Sequence, residues 1–88
     1  MSNRIYHLDL HPIAKDGRKI DAALDEALET VLKKRLGTLE IIPGKGTGQL
    51  MKRVKKWLQE PDVKKTYFRV EVDDKNHGRV FVHFRHTR

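Results

Sequence analysis

Leu39-Glu40-Ile41-Ile42-Pro43-Gly44-Lys45-Gly46-Thr47-Gly48-Gln49-Leu50 reads as a strand, a turn and the start of a helix. Leu39 to Ile42 is a short apolar run of the kind that forms a buried strand, and Pro43, with no N–H to give a sheet, marks its end. Three glycines at alternate positions follow. Glycine tolerates positive φ and lets another molecule approach the backbone closely. Free N–H groups at a helix start form a concavity for anions, and the helix dipole adds to the attraction. Lys45 and Thr47 supply a cation and a hydroxyl between the glycines, so a phosphate is the natural guest. A turn from strand to helix also carries glycines for purely conformational reasons. The better-known phosphate loops do not fit. A P-loop requires Gly-x4-Gly-Lys-[Ser/Thr], and Leu39 stands five positions before Gly44; a dinucleotide fingerprint requires Gly-x-Gly-x-x-Gly, and the spacing here is Gly-x-Gly-x-Gly. A nucleotide cofactor is therefore not expected.

At 88 residues the chain reads as one domain spanning 1–88, too small for a doubly wound nucleotide fold. No apolar run approaches membrane-spanning length, and Met1-Ser2-Asn3-Arg4 lacks the apolar core of a signal peptide. With no cysteine there are no disulfides and no thiolate metal sites. A cytoplasmic, monomeric protein is the expectation. The formal charge of +7 is unevenly spread: between Lys45 and Lys65 seven Lys/Arg face only Glu60 and Asp62, a local excess of +5. Positive charge beside a phosphate-friendly loop suggests a polyanionic partner, DNA or RNA, although a charge run also serves simply as a solvated face.

Outward from the glycine loop, the pattern is regular. Ile5 to Leu10 alternates as a first strand, with Tyr6, Leu8 and Leu10 on one side and Ile5, His7 and Asp9 on the other. The segment 11–18 is a loop in which Pro12 disfavours helix at His11. Ile20, Ala23, Leu24, Ala27, Leu28, Val31, Leu32 and Leu36 then mark a helix from about Lys19 to Leu36, with Gly37 as its stop. A second helix from Thr47 or Gly48 to Gln59 turns Leu50, Met51, Val54, Trp57 and Leu58 inward and Lys52, Arg53, Lys55 and Lys56 outward, and Pro61 closes it. Tyr67 to Val72 and Arg79 to Phe84 alternate as two strands of a hairpin, with Phe68, Val70 and Val72 on one side of the first. Strand, helix, strand with short joints makes the first two strands parallel with a right-handed crossover. The order βαβαββ predicts an α+β fold: a two-layer α/β sandwich in which a four-stranded mixed sheet carries two helices on one face.

Such a parallel pair places Asp9 and His11 beside the glycine loop, at the sheet edge where ligands bind. Residues two apart in an extended segment share a face. His11 can move a proton; Asp9 can orient it, position water or ligate a divalent cation such as magnesium. Lys45 and the loop N–H groups can stabilise charge at phosphorus. In a purely structural alternative, Asp9 accepts a hydrogen bond from a loop amide. Gly44, Lys45, Gly46, Thr47, Gly48, Lys52, Arg53 and Lys56 are the candidate nucleic-acid contacts. No other cofactor is indicated.

Leu8-Asp9-Leu10-His11, with Gly44-Lys45-Gly46-Thr47-Gly48 between the second strand and second helix, resembles the small MutS-related (Smr) domain family along essentially the whole chain. The resemblance implies a fold similar to the C-terminal domain of translation initiation factor 3. It also implies endonuclease activity, nicking DNA or cleaving RNA, in some members on ribosomes or their messages. The family's Leu-Asp-x-His motif falls on Leu8 to His11 and its glycine loop on Gly44 to Gly48. Two positions depart from the pattern: Pro12 stands where the family has glycine, and Pro43 where it often has histidine. His83 and His86 are candidates to replace that histidine. The rival reading is a binding module without catalysis that uses the same basic face and loop.

Overall fold

The computed structural model describes residues 4–43, 48–73 and 78–85. Four strands, β1 (Ile5–Asp9), β2 (Thr38–Ile42), β3 (Tyr67–Asp73) and β4 (Arg79–Phe84), form one sheet in the order β1-β2-β4-β3. β1 and β2 are parallel, and β4 is antiparallel to both of its neighbours. Three helices accompany it: α1 (Gly17–Lys34), α2 (Gly48–Gln59) and the single turn α3 (Pro61–Lys64). The α+β sandwich expected from the βαβαββ pattern is the fold observed. No helix among the described residues is long and apolar enough to cross a membrane.

Side-chain alternation decides which face of the sheet is covered. Leu39 and Ile41 of β2, and Val80, Val82 and Phe84 of β4, are buried under the helices. They meet Ile20, Leu24, Ala27 and Val31, one stripe of α1, and Val54, Trp57 and Leu58 of α2. Leu32, counted in the apolar stripe from spacing alone, lies at its margin and is 40% exposed.

Local chemistry departs from expectation at several points. α1 begins at Gly17, before Lys19, because the Asp16 carboxylate accepts hydrogen bonds from the N–H groups of Arg18 (3.0 Å) and Lys19 (3.2 Å), a side-chain cap. It ends at Lys34, and Arg35 rather than Gly37 adopts the left-handed conformation, with φ 54°. Gly37 is used elsewhere: its N–H donates to the Arg4 carbonyl (3.1 Å) and its carbonyl accepts from Phe84 N–H (3.0 Å). Pro61 does not simply close α2. It occupies the first turn of α3, where a missing N–H costs nothing. In β3, Tyr67 lies opposite Phe84 and Arg69 opposite His83, so Phe68 is an extra, bulged residue. It leaves the face of Val70 and Val72 and packs its ring near His83 on the uncovered side.

α1 and α2 run parallel, each returning from a strand of the parallel pair, and two side-chain contacts bridge them. Arg53 donates two hydrogen bonds to Asp21, from Nε at 2.9 Å and Nη2 at 2.8 Å, and one turn along Trp57 Nε1 donates to Asp25 at 2.9 Å. Trp57 is 4% exposed, which makes it a core residue and not a surface for stacking bases. Trp57→Ala is expected to cost about 3–5 kcal/mol, the usual loss for a buried indole. Trp57→Phe keeps most of the buried surface and should cost less than half as much. Urea denaturation followed by circular dichroism measures both, and equal losses would show that the Asp25 bond, not the ring, dominates.

Candidate nucleic-acid site at the carboxyl edge of the sheet

The parallel pair brings the end of β1 against the end of β2. Asp9 is the register partner of Ile42, and Leu10 N–H donates to the Ile42 carbonyl at 2.9 Å. One residue on, Pro43 is buried, and the described chain resumes at Gly48, the first residue of α2. Gly44, Lys45, Gly46 and Thr47 lie outside the described residues. Gly48 is exposed, with open space where a Cβ would stand. The N-termini of α1 and α2 both belong to this edge, because each helix starts where the chain has left the carboxyl end of a parallel strand.

Asp9 and His11 are both exposed here. The carboxylate and the imidazole are not joined: Asp9 Oδ1 accepts from the backbone N–H of His11 at 2.9 Å. That bond helps His11 open a 3-10 turn, His11–Ile13, in spite of Pro12, whose ring fits the first turn. Loop geometry expected to keep His11 out of a helix is thereby overridden. Oδ2 of Asp9 accepts no hydrogen bond among the described residues. Those residues also contain no group of three or more His, Asp or Glu able to hold a metal. Asp9 alone suits magnesium only in the manner of ions that keep several waters and share substrate phosphates.

The histidines separate. His83 pairs with Thr38, at the opposite end of β2 from Ile42, about 13 Å away at the usual rise per residue. Its Nε2 contacts Glu71 at 2.8 Å and its Nδ1 lies 3.4 Å from Thr38 Oγ1. His83 thus cannot stand in for a histidine at the glycine loop, and His86 lies outside the described residues. His7, on the same side of β1 as Asp9, contacts the buried Glu40 through Nδ1.

Among the basic candidates, Lys52 and Lys56 are exposed on α2, whereas Arg53 is held in its two-pronged contact with Asp21. Gly17 permits this: a Cβ there would meet the Arg53 guanidinium at 2.8 Å. Three further cations lie here that sequence reasoning misses, because Lys15 and Arg18 fall in the expected connecting loop and Lys19 at the expected start of the first helix. Lys15 and Lys19 line a cleft with His11 and Asp16, Lys15 also lines a neighbouring one with Gln49 and Arg53, and Arg18 is exposed in the first turn of α1. Their signal was three bases within Lys15-Asp16-Gly17-Arg18-Lys19, beside the Asp9–His11 motif.

The hydrogen bonds from Arg53 hold the Asp21 carboxyl below its ordinary value of 3.8, against an opposing effect of burial and with smaller help from the charges of Arg53 and Lys56. A carboxyl that titrates lower in the folded state contributes stability present above pH 3.8 and lost as pH falls through its folded value. Asp21→Asn should therefore lower stability at neutral pH and make the acid loss of stability below pH 3.8 shallower. Thermal melts between about pH 2 and 7 check this, and a variant curve merely displaced in parallel would contradict it.

The family model described as Smr domain matches residues 8–85 of the chain. A crystal structure of the Smr domain of Thermus thermophilus MutS2 is similar, with a TM-score of 0.72 and 23% identity over 94% of this chain and 99% of that one. At that identity the likeness concerns the fold. Comparison with curated proteins gives no match.

Proposed function

Because the chain belongs to the Smr domain family, whose members have nucleic-acid-binding and nuclease roles, we propose that it is an endonuclease of DNA or RNA, including structured or ribosome-associated strands, with its centre at the carboxyl edge of β1 and β2. The observation that carries this reading is the register of Asp9 with Ile42, which sets the Leu8-Asp9-Leu10-His11 motif beside the segment leading into the glycine loop.

In this reading His11 relays the proton that leaves the attacking oxygen or reaches the departing one. Asp9 fixes the turn that presents His11, and its second carboxylate oxygen is available to water or a cation on the phosphate. Lys45 and the amides of 44–48 stabilise the charge on the oxygens of the phosphorane-like transition state. Lys15, Lys19, Lys52 and Lys56 hold the flanking backbone as point charges without base preference. A second reading, a binding module without catalysis, draws support from the fact that Asp9 engages an amide and not the imidazole.

Cleavage of labelled RNA and DNA by the unmodified chain separates the two, since the binding module cuts neither, and one substitution tests the centre. Asp9→Asn retains an oxygen to accept the His11 N–H and removes only the charge. Cleavage of labelled RNA and DNA should fall about 100-fold or more while affinity changes little; unaltered cleavage would reduce Asp9 to a holder of the turn. Binding is tested through salt. Replacing Lys52 and Lys56 together by Glu should flatten the plot of log affinity against log salt by roughly two, about one for each lost phosphate contact. A slope equal to that of the unmodified protein would remove α2 from the interface.

A further inference from the structure

The sheet's other face has no described helix on it, and its surface is neither plainly apolar nor plainly acidic. Four carboxylates project there, Asp9 and Asp73 at its margins and Glu40 and Glu71 in its middle, and each of the middle two is held between an arginine and a histidine. Glu40, only 5% exposed, contacts His7 and lies 3.2 Å from Arg79 Nη1. Glu71 lies 2.8 Å from His83 Nε2 and 3.6 Å from Arg69 Nε. Each of the middle two is thus matched by a permanent cation, so the middle of the face does not repel a polyanion.

On the β3 side of the face, what remains outward is aromatic and cationic. The bulge in β3 sends Phe68 to this face while Tyr67 stays inward, its hydroxyl donating to the Leu58 carbonyl at 2.8 Å. Phe68 is 55% exposed, its centroid is 6.4 Å from the His83 ring, and the Arg85 guanidinium lies 5.1 Å over its ring. Half-buried Phe81 projects from β4 on the same face, between Glu40 and Glu71 in register. Leaving a phenyl ring this exposed forgoes part of the stabilisation its burial would give. A ring, a stacked guanidinium and an adjoining imidazole on an open sheet are what unpaired bases bind: they stack on the ring while the cation meets the phosphate. Duplex bases, stacked on each other, cannot reach it.

We propose that this uncovered face is a stacking platform for single-stranded nucleic acid, with Phe68 stacking a base and Arg85 contacting its phosphate. The proposal rests on the nucleic-acid reading above and narrows its substrate to an unpaired strand. On β1 the same face ends at Asp9, about 20 Å diagonally across the sheet by ordinary strand spacing, so a strand anchored at Phe68 can run toward the candidate centre.

The test uses the whole chain, a labelled 12-nucleotide oligouridylate, the corresponding oligothymidylate and a 12-base-pair duplex, with binding followed by fluorescence anisotropy. Phe68→Ala is expected to weaken single-strand binding about tenfold and to leave duplex binding within about twofold. Phe68→Trp should restore single-strand affinity, and Arg85→Gln should weaken it and flatten its salt dependence. Amide chemical shifts on adding the oligouridylate should move at 67–69 and 81–85. The ring is exposed, so its removal leaves the core intact, and circular dichroism of each variant verifies the fold. Unchanged single-strand affinity in Phe68→Ala overturns the platform alone, as does equal weakening for single strand and duplex. A shift map confined to the helices also overturns it and leaves the face to a protein partner. If the unmodified chain binds neither form at low salt, the nucleic-acid reading falls and the platform with it.

Discussion

The parallel pairing of β1 with β2 is the constraint from which the rest follows. Ile5 pairs with Thr38 and Asp9 with Ile42, so the two strands end together. The connection between them must cross the sheet and return, and α1 does this with its buried stripe against Leu39 and Ile41. A one-residue slip would turn Leu39 and Ile41 to the uncovered face and Glu40 into the core. The same register brings Asp9 beside the segment that leads to the glycine loop, and it aims the N-termini of α1 and α2 at the same edge. Site and core are thus set by one alignment of five residue pairs.

Charge on the helices completes that arrangement. Acidic residues early in α1 and basic residues in α2 suit each helix separately, but their spatial use is mutual. Asp21 and Asp25, one turn apart, meet Arg53 and Trp57, one turn apart, across the groove between the helices. An exposed ion pair alone is worth little. This one sits beside a buried indole that fixes the helices' separation, so Arg53 closes a contact already made by packing. At the start of α1 the guanidinium lies close over Gly17, so a side chain there would have to displace it.

How far the sequence could be read follows from the range of each interaction. Leu39 to Ile42, the apolar stripe of α1 and the inward set of α2 were legible because periodicity is local and each element's partner only needs to be apolar. The place of the Asp9–His11 motif at the end of β2, beside Ile42, was legible for the same reason, once the βαβ handedness was assumed. Gly37 was the natural stop by composition, but Arg35 took the left-handed turn because Leu36 had to reach the core, where it is 7% exposed. Glu40 within an apolar strand has partners 33 and 39 residues away, His7 and Arg79, and no local pattern connects them. Phe68 is misread by alternation because a bulge shifts the period, and bulges carry no reliable residue signature.

The excess of positive charge takes on a specific meaning once the pairs are assigned. Arg53, Arg69 and Arg79 are engaged with Asp21, Glu71 and Glu40, while Asp9, Asp16 and Asp25 accept from amides or from an indole. Among the described lysines, Lys65 alone lies within ion-pair distance of a carboxylate, at 3.8 Å from Asp62. These three planar, forked cations are tied to carboxylates of the fold, while Arg18, Arg85 and the flexible ammonium groups face outward. Guanidinium suits fixed two-point contacts, whereas an ammonium on a mobile stem suits a backbone of repeating phosphates met in varying positions. A chain that ties three arginines to its own carboxylates and leaves most of its described lysines outside ion pairs is arranged for binding by counterion release. On such a surface the lysines supply affinity for any strand, so discrimination between strands must come from groups that read shape.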